Sequence, residues 1–328
     1  MSLPEFQLLR PRSVQEAVQL LAQHAPNLQI IAGGTDLIPS MKQQLFAPKF
    51  LMDIRGIAQA RGIRAVPDAG VEIGALTSIS TIEDSGFLQR NYPVLQQAAA
   101  TVASPILRNM GTLGGNLCLD TRCLWYNQSL AWRKSCDFCL KKDGNFCHVA
   151  PGSDTCWAVF SGDTAPALLC LAAEVEIAGP NGYRRLPISQ FYGDDGIAHL
   201  RMQRYEMLTR VLLPEASSGW KGSYLKLRVR GSIDYPLAGV AVALKLNRGI
   251  VEQARVAITG VNPAPLLVPN VDHALIGKNI TDHHAQVVGE MAAQVAKPLT
   301  TSMLTPEYRR EMIRVFTRRA VLAAAKAS

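Results

Sequence analysis

Cysteine is the residue type whose placement in this sequence points most directly to chemistry. Six of the seven cysteines lie between residues 118 and 156, at Cys118, Cys123, Cys136, Cys139, Cys147 and Cys156. Thiols clustered in this way, in a chain without a secretion signal pattern, are typical of metal ligands rather than of disulfides. Cys118 and the remaining cysteine, Cys170, are expected to be small buried apolar side chains.

The spacing of the cysteines favours one kind of metal site over another. Cys136 and Cys139 form the CxxC half-site that is familiar from zinc-binding loops. A zinc site of this type needs a second CxxC pair, and the following cysteines, Cys147 and Cys156, are too widely separated to supply it. Iron-sulfur clusters are also held by thiolates, usually four of them. The spacing therefore disfavours zinc without excluding a zinc-loop binding module.

A pair of glycines follows a short apolar strand near the start of the chain, in the run Ile30, Ile31, Ala32, Gly33, Gly34, Thr35, Asp36 and Leu37. A strand that turns through glycines into a helix exposes backbone N–H groups at the positive end of that helix, where phosphate binds. A Cβ at either glycine would hold a phosphate away from the backbone. Because the run is neither GxGxxG nor a P-loop, it also fits a plain tight turn.

A second turn of the same kind occurs later, at Thr112, Leu113, Gly114, Gly115 and Asn116. Two glycine turns in one domain suit a diphosphate that is held from both sides. Together they favour a dinucleotide cofactor. No Ser/His/Asp set or carboxylate pair accompanies them, and the six histidines show no metal-ligand spacing. We therefore assign no catalytic residue and expect cofactors to carry the reaction.

The elements that must position these residues alternate between helix and strand. Ser13 with Glu16, and Ser80 with Glu83, have the spacing of capping boxes that open helices. The pattern predicts an α+β chain with a boundary near residue 217. Residues 1–216 would form one domain in two parts, about 1–55 and 56–216, with a cysteine-rich loop at about 118–160. Residues 217–328 would form a C-terminal α+β domain.

Composition narrows the class of protein. The 328 residues are 48% hydrophobic and 18% charged, as in an ordinary globular protein, and no apolar stretch approaches the ~20 residues of a membrane helix. The formal charge of +8 invites a nucleic-acid interpretation. Part of the excess comes from arginines between 309 and 319, which alternate with apolar residues as in an amphipathic helix. We expect a cytoplasmic protein that binds neither nucleic acid nor membrane.

Five segments, in order, resemble one known family. They read IAGGTDLIP from residue 31, VASPILRNMGTLGGNL from 102, GDTAPALLCL from 162, YLKLRVRGSIDYPLAGVAVAL from 224 and AITGVNPAPL from 257. This series is similar to the FAD-binding subunit or domain of xanthine dehydrogenases, carbon monoxide dehydrogenases and related molybdenum hydroxylases. The resemblance implies a two-part FAD-binding domain followed by a C-terminal domain, and it implies an electron-transfer subunit of an oxidoreductase.

The resemblance also implies roles for particular residues. Both glycine turns would hold the FAD pyrophosphate and ribityl chain. Asp163 matches an aspartate that binds near the flavin, and Lys226 matches a lysine close to the flavin edge. The stretch between the second turn and Asp163 is about forty residues longer than in most relatives, and the cysteines fill the extra length.

Within the family, this insertion resembles the branch formed by 4-hydroxybenzoyl-CoA reductases, including the string TRCLWYNQS from residue 121. There the loop binds a 4Fe-4S cluster, and the matching ligands are Cys123, Cys139, Cys147 and Cys156. Because Cys136 lies so near Cys139 in sequence, it stays open which of the two is the ligand.

The same resemblance implies partners and a direction of electron flow. The partners would be a molybdopterin-binding large subunit and a 2Fe-2S small subunit, in a doubled heterotrimer. Ferredoxin would be the electron donor. The alternative is the FAD subunit of an aldehyde or xanthine dehydrogenase, which runs in the oxidative direction.

Overall fold

The computed structural model describes residues 2–67 and 69–327. Its first part is a small parallel sheet with two helices. The strands are β1 (Gln7–Leu9), β2 (Leu28–Ile31) and β3 (Phe50–Asp53), in the order β1-β3-β2, and the helices are α1 (Val14–His24) and α2 (Leu37–Lys42). Helix α1 begins as the sequence predicts, because the Ser13 hydroxyl accepts a hydrogen bond from the Glu16 N–H at 3.1 Å. The first glycine turn connects β2 to α2.

The second part is an antiparallel sheet of five strands in the order β4-β5-β8-β6-β7. These strands are β4 (Ile63–Val66), β5 (Gly70–Gly74), β6 (Glu174–Gly179), β7 (Gly182–Pro187) and β8 (Met207–Leu213). Between β5 and β6 the chain forms the helices α3 (Ile79–Glu83), α4 (Gly86–Asn91), α5 (Pro93–Ala100), α6 (Pro105–Met110), α7 (Leu113–Leu117), α8 (Leu130–Ser135) and α9 (Thr164–Cys170). The second glycine turn opens α7, and the cysteine-rich segment runs from there to α9.

One predicted helix start in this part is wrong. Ser78, rather than Ser80, caps α3, because the Ser78 hydroxyl accepts a hydrogen bond from the Thr81 N–H at 3.1 Å. Glu83, the predicted partner of Ser80, lies at the other end of the helix and forms an ion pair with Arg108. Both serines fit the local spacing, so that spacing alone could not select between them.

The third part is an antiparallel sheet in the order β12-β11-β10-β9, covered by helices. Its elements are β9 (Lys221–Leu227), β10 (Ala238–Asn247), β11 (Ile250–Thr259), β12 (Leu266–Leu267), α10 (Val271–Leu275), α11 (Asp282–Val295) and α12 (Pro306–Lys326). The chain is therefore α+β, as predicted. No helix in the described part of the chain is both long enough and apolar enough to cross a membrane.

Strand β10 joins the second and third parts because it is buried on both faces. Val240, Val242 and Leu244 belong to the core that includes α11 and α12, whereas Ala241 and Ala243 belong to the core around α5 and α9. Successive side chains of a strand point to opposite faces, so a continuous apolar run is what this position requires. The alanines leave room for α9. As a result, the sheet that carries Lys226 is held close to the start of α9, where Asp163 lies.

Candidate functional site

A cavity of about 370 Å³ lies where the three parts meet. Both glycine turns line it. Thirteen of the fourteen predicted cofactor-binding residues lie in its wall: Ile30, Ile31, Ala32, Gly33, Gly34, Thr35, Asp36, Leu37, Thr112, Gly114, Gly115, Asn116 and Asp163. Its size is within the range of ligand pockets in proteins. The fourteenth residue, Lys226, does not line the cavity and lies behind Asp163.

The first glycine turn supplies free hydrogen-bond donors to this cavity. Within the described part of the chain, the backbone N–H groups of Gly33, Gly34 and Thr35 donate to no other group. The glycines are also needed for the fold. A Cβ at Gly33 would lie 2.0 Å from the carbonyl oxygen of Met110, and Gly34 has a φ of +70°. The close approach of Met110, in addition to any ligand, therefore explains Gly33.

The second glycine turn differs from the expectation that its N–H groups would be free. The Gly115 N–H donates to the Thr112 hydroxyl at 3.1 Å, and the Gly114 N–H donates to the Ala75 carbonyl at 2.8 Å. The Asn116 side-chain oxygen accepts bonds from both the N–H and the hydroxyl of Thr164. These bonds fix the turn against β5 and α9. The second turn thus shapes the cavity, while the first presents the donors.

Asp163 is held by two buried donors from strand β9. Lys226 Nζ lies 3.0 Å from one carboxylate oxygen, and the Tyr224 hydroxyl donates to the other at 2.8 Å. Residues 224 and 226 share one face of the strand, so both side chains reach α9. Burial, and then the Asp163 carboxylate, raise the pKa of Tyr224 well above its ordinary value, so its hydroxyl stays a donor. Lys226 orients Asp163 in this arrangement.

The loop between β9 and β10 also lines the cavity, and the motifs did not predict this. Tyr235 lines the cavity and donates to Asp36 Oδ1 at 2.6 Å. Arg122 also binds this oxygen, at 2.8 Å, and its guanidinium lies 4.1 Å from the centre of the Tyr235 ring. Burial and Asp36 raise the pKa of Tyr235. Because the tyrosine and the aspartate are 199 residues apart in sequence, no local pattern relates them.

The four predicted metal ligands, Cys123, Cys139, Cys147 and Cys156, line a second, much smaller cavity. Burial raises the pKa of Cys123 to about 12 and that of Cys156 to about 11. Cys136 does not line this cavity and follows the last residue of α8. No group of three or more His, Cys, Asp or Glu side chains in residues 2–67 and 69–327 is arranged to hold a metal ion.

The two cysteines that were expected to be apolar packing residues both contact the same core. Cys170 is fully buried in α9, and burial raises the pKa of its thiol. Cys118 is half-buried and also lines the larger cavity, and burial raises the pKa of its thiol to about 12. Its position one residue after α7 brings it there.

Comparisons with known proteins agree along the whole chain. Residues 4–216 match the family model for the FAD-binding domain in molybdopterin dehydrogenase, and residues 223–324 match that for the carbon monoxide dehydrogenase flavoprotein C-terminal domain. The carbon monoxide dehydrogenase medium chain of Hydrogenophaga pseudoflava is 29% identical over 98% of this chain and 97% of its own length.

Two further matches are a subunit of another enzyme and a solved structure. The aldehyde oxidoreductase FAD-binding subunit of Escherichia coli is 32% identical over 78% of this chain and 81% of its own length. A solved structure of the Hydrogenophaga enzyme, in a form that lacks the Mo-pyranopterin moiety of the molybdenum cofactor, superposes with a TM-score of 0.81. The superposition has 28% identity and covers 99% of this chain and 98% of that chain.

Proposed function

We infer the function of this chain from one premise: it belongs to the family of FAD-binding subunits of molybdopterin-dependent dehydrogenases. It is accordingly a subunit of a molybdenum-dependent oxidoreductase. FAD supplies one- and two-electron transfer when it is bound. One observation assigns the cofactor to a site. It is the cavity between the three parts, which both glycine turns and Asp163 line.

We propose that this cavity holds FAD. The N–H groups of Gly33, Gly34 and Thr35 would bind the diphosphate, since these donors have no other acceptor within the described residues. The second turn would limit where the cofactor can lie. Lys226 would act through Asp163, which it holds at 3.0 Å. The cavity also has the mixed apolar and polar lining that a flavin with a ribityl diphosphate requires.

We propose in addition that Cys123, Cys139, Cys147 and Cys156 hold a 4Fe-4S cluster. The donor chemistry fits, because four thiols surround one cavity and thiolates are the usual ligands of such clusters. The cavity measures about 10 Å³, the room of about one water molecule. The four side chains would therefore have to turn outward to admit a cluster, with loss of their protons.

The finer proposal is that the complex is a 4-hydroxybenzoyl-CoA reductase. It is supported by the string TRCLWYNQS from residue 121 and by the four thiols. The partners would be a molybdopterin-binding large subunit and a 2Fe-2S small subunit in a doubled heterotrimer, with ferredoxin as donor. Two electrons and two protons would convert 4-hydroxybenzoyl-CoA to benzoyl-CoA and water. A cytoplasmic location would keep the thiols reduced.

A second candidate is the FAD subunit of an aldehyde or xanthine dehydrogenase. The 32% identity with the aldehyde oxidoreductase FAD-binding subunit of Escherichia coli favours it. The two candidates differ in the direction of net electron flow. The purified complex, given reduced viologen and 4-hydroxybenzoyl-CoA, should form benzoyl-CoA if it is the reductase. Turnover of aldehydes or xanthine with an oxidised dye, and none with the thioester, would support the second candidate instead.

The FAD assignment itself has a simpler test. The purified chain should show flavin absorption and release about one FAD on denaturation. The 4Fe-4S proposal predicts additional broad visible absorption and about four iron atoms per chain, whereas a zinc-loop module would be colourless. Protein that contains zinc and no flavin would overturn both proposals.

A further inference from the structure

The cysteine-rich segment, residues 118–160, contributes two cations that pair with aspartates in the wall of the larger cavity. Arg122 Nη1 lies 2.8 Å from Asp36 Oδ1, and Lys141 Nζ lies 2.8 Å from Asp120 Oδ1. Both aspartates line the cavity. The segment that carries the candidate metal ligands is thus also part of the candidate FAD site.

Lys141 is held firmly in this position. Its side chain is only 6% exposed, and its ammonium also donates to the Thr121 hydroxyl at 2.7 Å and to the Gly196 carbonyl at 2.6 Å. The second oxygen of Asp120 accepts a hydrogen bond from the Tyr126 hydroxyl at 2.9 Å. Lys141 and Tyr126 also line the cysteine cavity, so one hydrogen-bonded group lies between the two cavities.

The charges around the larger cavity indicate what the hydrogen-bonded group of Lys141, Asp120 and Tyr126 does. Four aspartates line the cavity, and each forms an ion pair: Asp36 with Arg122, Asp120 with Lys141, Asp163 with Lys226, and Asp234 with Arg230. An unpaired carboxylate here would repel the diphosphate of FAD. Two of the four cations come from the cysteine-rich segment.

We propose that Lys141 is a positioning residue that makes FAD retention depend on the cysteine-rich segment. It neutralises Asp120 and fixes its carboxylate in the cavity wall, so that the diphosphate meets no unpaired negative charge. The inference deepens the proposed function and rests on FAD occupying the larger cavity. It does not depend on iron occupying the cysteine cavity.

The test is the dissociation constant of FAD from the full-length chain, measured by flavin fluorescence. Lys141→Met should raise it by a factor in the range typical of coupled sites, about 5- to 150-fold. Lys142→Met is the matched control, because that neighbouring side chain is 39% exposed and, among the described residues, has Asp143 as its one ion-pair partner. The control should bind FAD as the unmodified chain does. If neither the unmodified chain nor the control binds FAD, the FAD site itself is wrong.

Variants of Asp120 separate charge from structure. Asp120→Asn alone should bind FAD as tightly as the unmodified chain or more tightly, and adding it to Lys141→Met should restore binding. This comparison remains decisive if Lys141→Met alone folds poorly. Equal binding by Lys141→Met and Lys142→Met would overturn the inference. So would a loss of FAD in Asp120→Asn, or a double variant that is no better than Lys141→Met, because Asp120 would then be needed for structure.

Discussion

Gly33 is the first glycine of the first turn and Gly115 the second glycine of the second turn, and different contacts surround them. A Cβ at Gly33 would collide with the backbone of Met110 at 2.0 Å, whereas one at Gly115 would meet only the Thr112 hydroxyl, at 3.0 Å. Gly115 is exposed in the cavity wall. A larger side chain at Gly33 should therefore disturb folding, and one at Gly115 should fill the cavity.

Gly115→Val is accordingly expected to abolish FAD binding while the chain still folds. The branched side chain would occupy the space that a diphosphate needs, and a small shift of Thr112 would relieve the one close contact. FAD content and circular dichroism measure the two effects. Gly152→Val is the control, since a Cβ there meets no atom within 4 Å. A full complement of flavin in purified Gly115→Val would show that the diphosphate lies elsewhere.

Lys226→Met tests the buried ion pair with Asp163. The substitution leaves the carboxylate without its cation in a site where both side chains are almost fully buried. Losing one partner of such a pair costs about 3–5 kcal/mol of unfolding free energy. The matched control is Lys245→Met on the same sheet, whose pair with Glu252 is exposed and is worth about 1 kcal/mol or less. Urea denaturation of both variants should show this difference, and similar losses would contradict the role given to Lys226.

At the scale of the elements, the sequence predicts those features of helices and strands that depend on neighbouring residues. The helix after Ser13 follows from its capping residues, and strand β10 is a continuous apolar run because both of its faces are buried. The cap of α3 could not be predicted, since Ser78 and Ser80 both have suitable spacing and only the folded backbone selects the first.

Prediction from sequence has the same limit at the candidate site. The glycine turns were visible in the sequence, but the Gly114 N–H of the second turn is satisfied by the carbonyl of Ala75, which follows strand β5 and is distant in sequence. Likewise, the bond between Tyr235 and Asp36 joins distant parts of the chain. Contacts that form only when three parts pack together leave no local pattern in the sequence.

The arrangement of the cysteine-rich segment predicts which cysteines are needed for a cluster. If the proposed 4Fe-4S cluster is present, serine at Cys123, Cys139, Cys147 or Cys156, one at a time, should remove it, because each of these residues lines the same cavity. Cys136→Ser should keep it, since that thiol lies outside the cavity, and Cys170→Ser should keep it as well. Iron analysis of protein prepared without oxygen measures the outcome. Loss of iron in Cys136→Ser with retention in Cys139→Ser would transfer the ligand role to Cys136.

In the whole molecule, the two cavities are neighbours that share a wall. Asp120 lines the larger cavity, and its partners Lys141 and Tyr126 line the smaller one. A carrier in the smaller cavity would therefore lie close to a flavin in the larger one. An enzyme that delivers electrons to an oxidant at the flavin needs no such second site, whereas a reductive enzyme that uses a low-potential one-electron donor would gain an entry point for single electrons from it.

We therefore expect the holo-complex to accept electrons from reduced ferredoxin or from a viologen through the cysteine site. Iron-sulfur clusters have potentials that can reach about −700 mV, which suits such a donor. Cys147→Ser is a suitable cluster-free variant and should leave FAD in place. Cys147 is more distant in sequence from Lys141 and Arg122 than Cys139 or Cys123. Cys156 is less suitable because it lies against Gly196, whose carbonyl accepts a hydrogen bond from Lys141. Its flavin content is the control. Rapid mixing with reduced ferredoxin should then show slow flavin reduction and little turnover. Undiminished flavin reduction in this variant would mean that electrons reach FAD by another route, and that the cysteine-rich segment is structural.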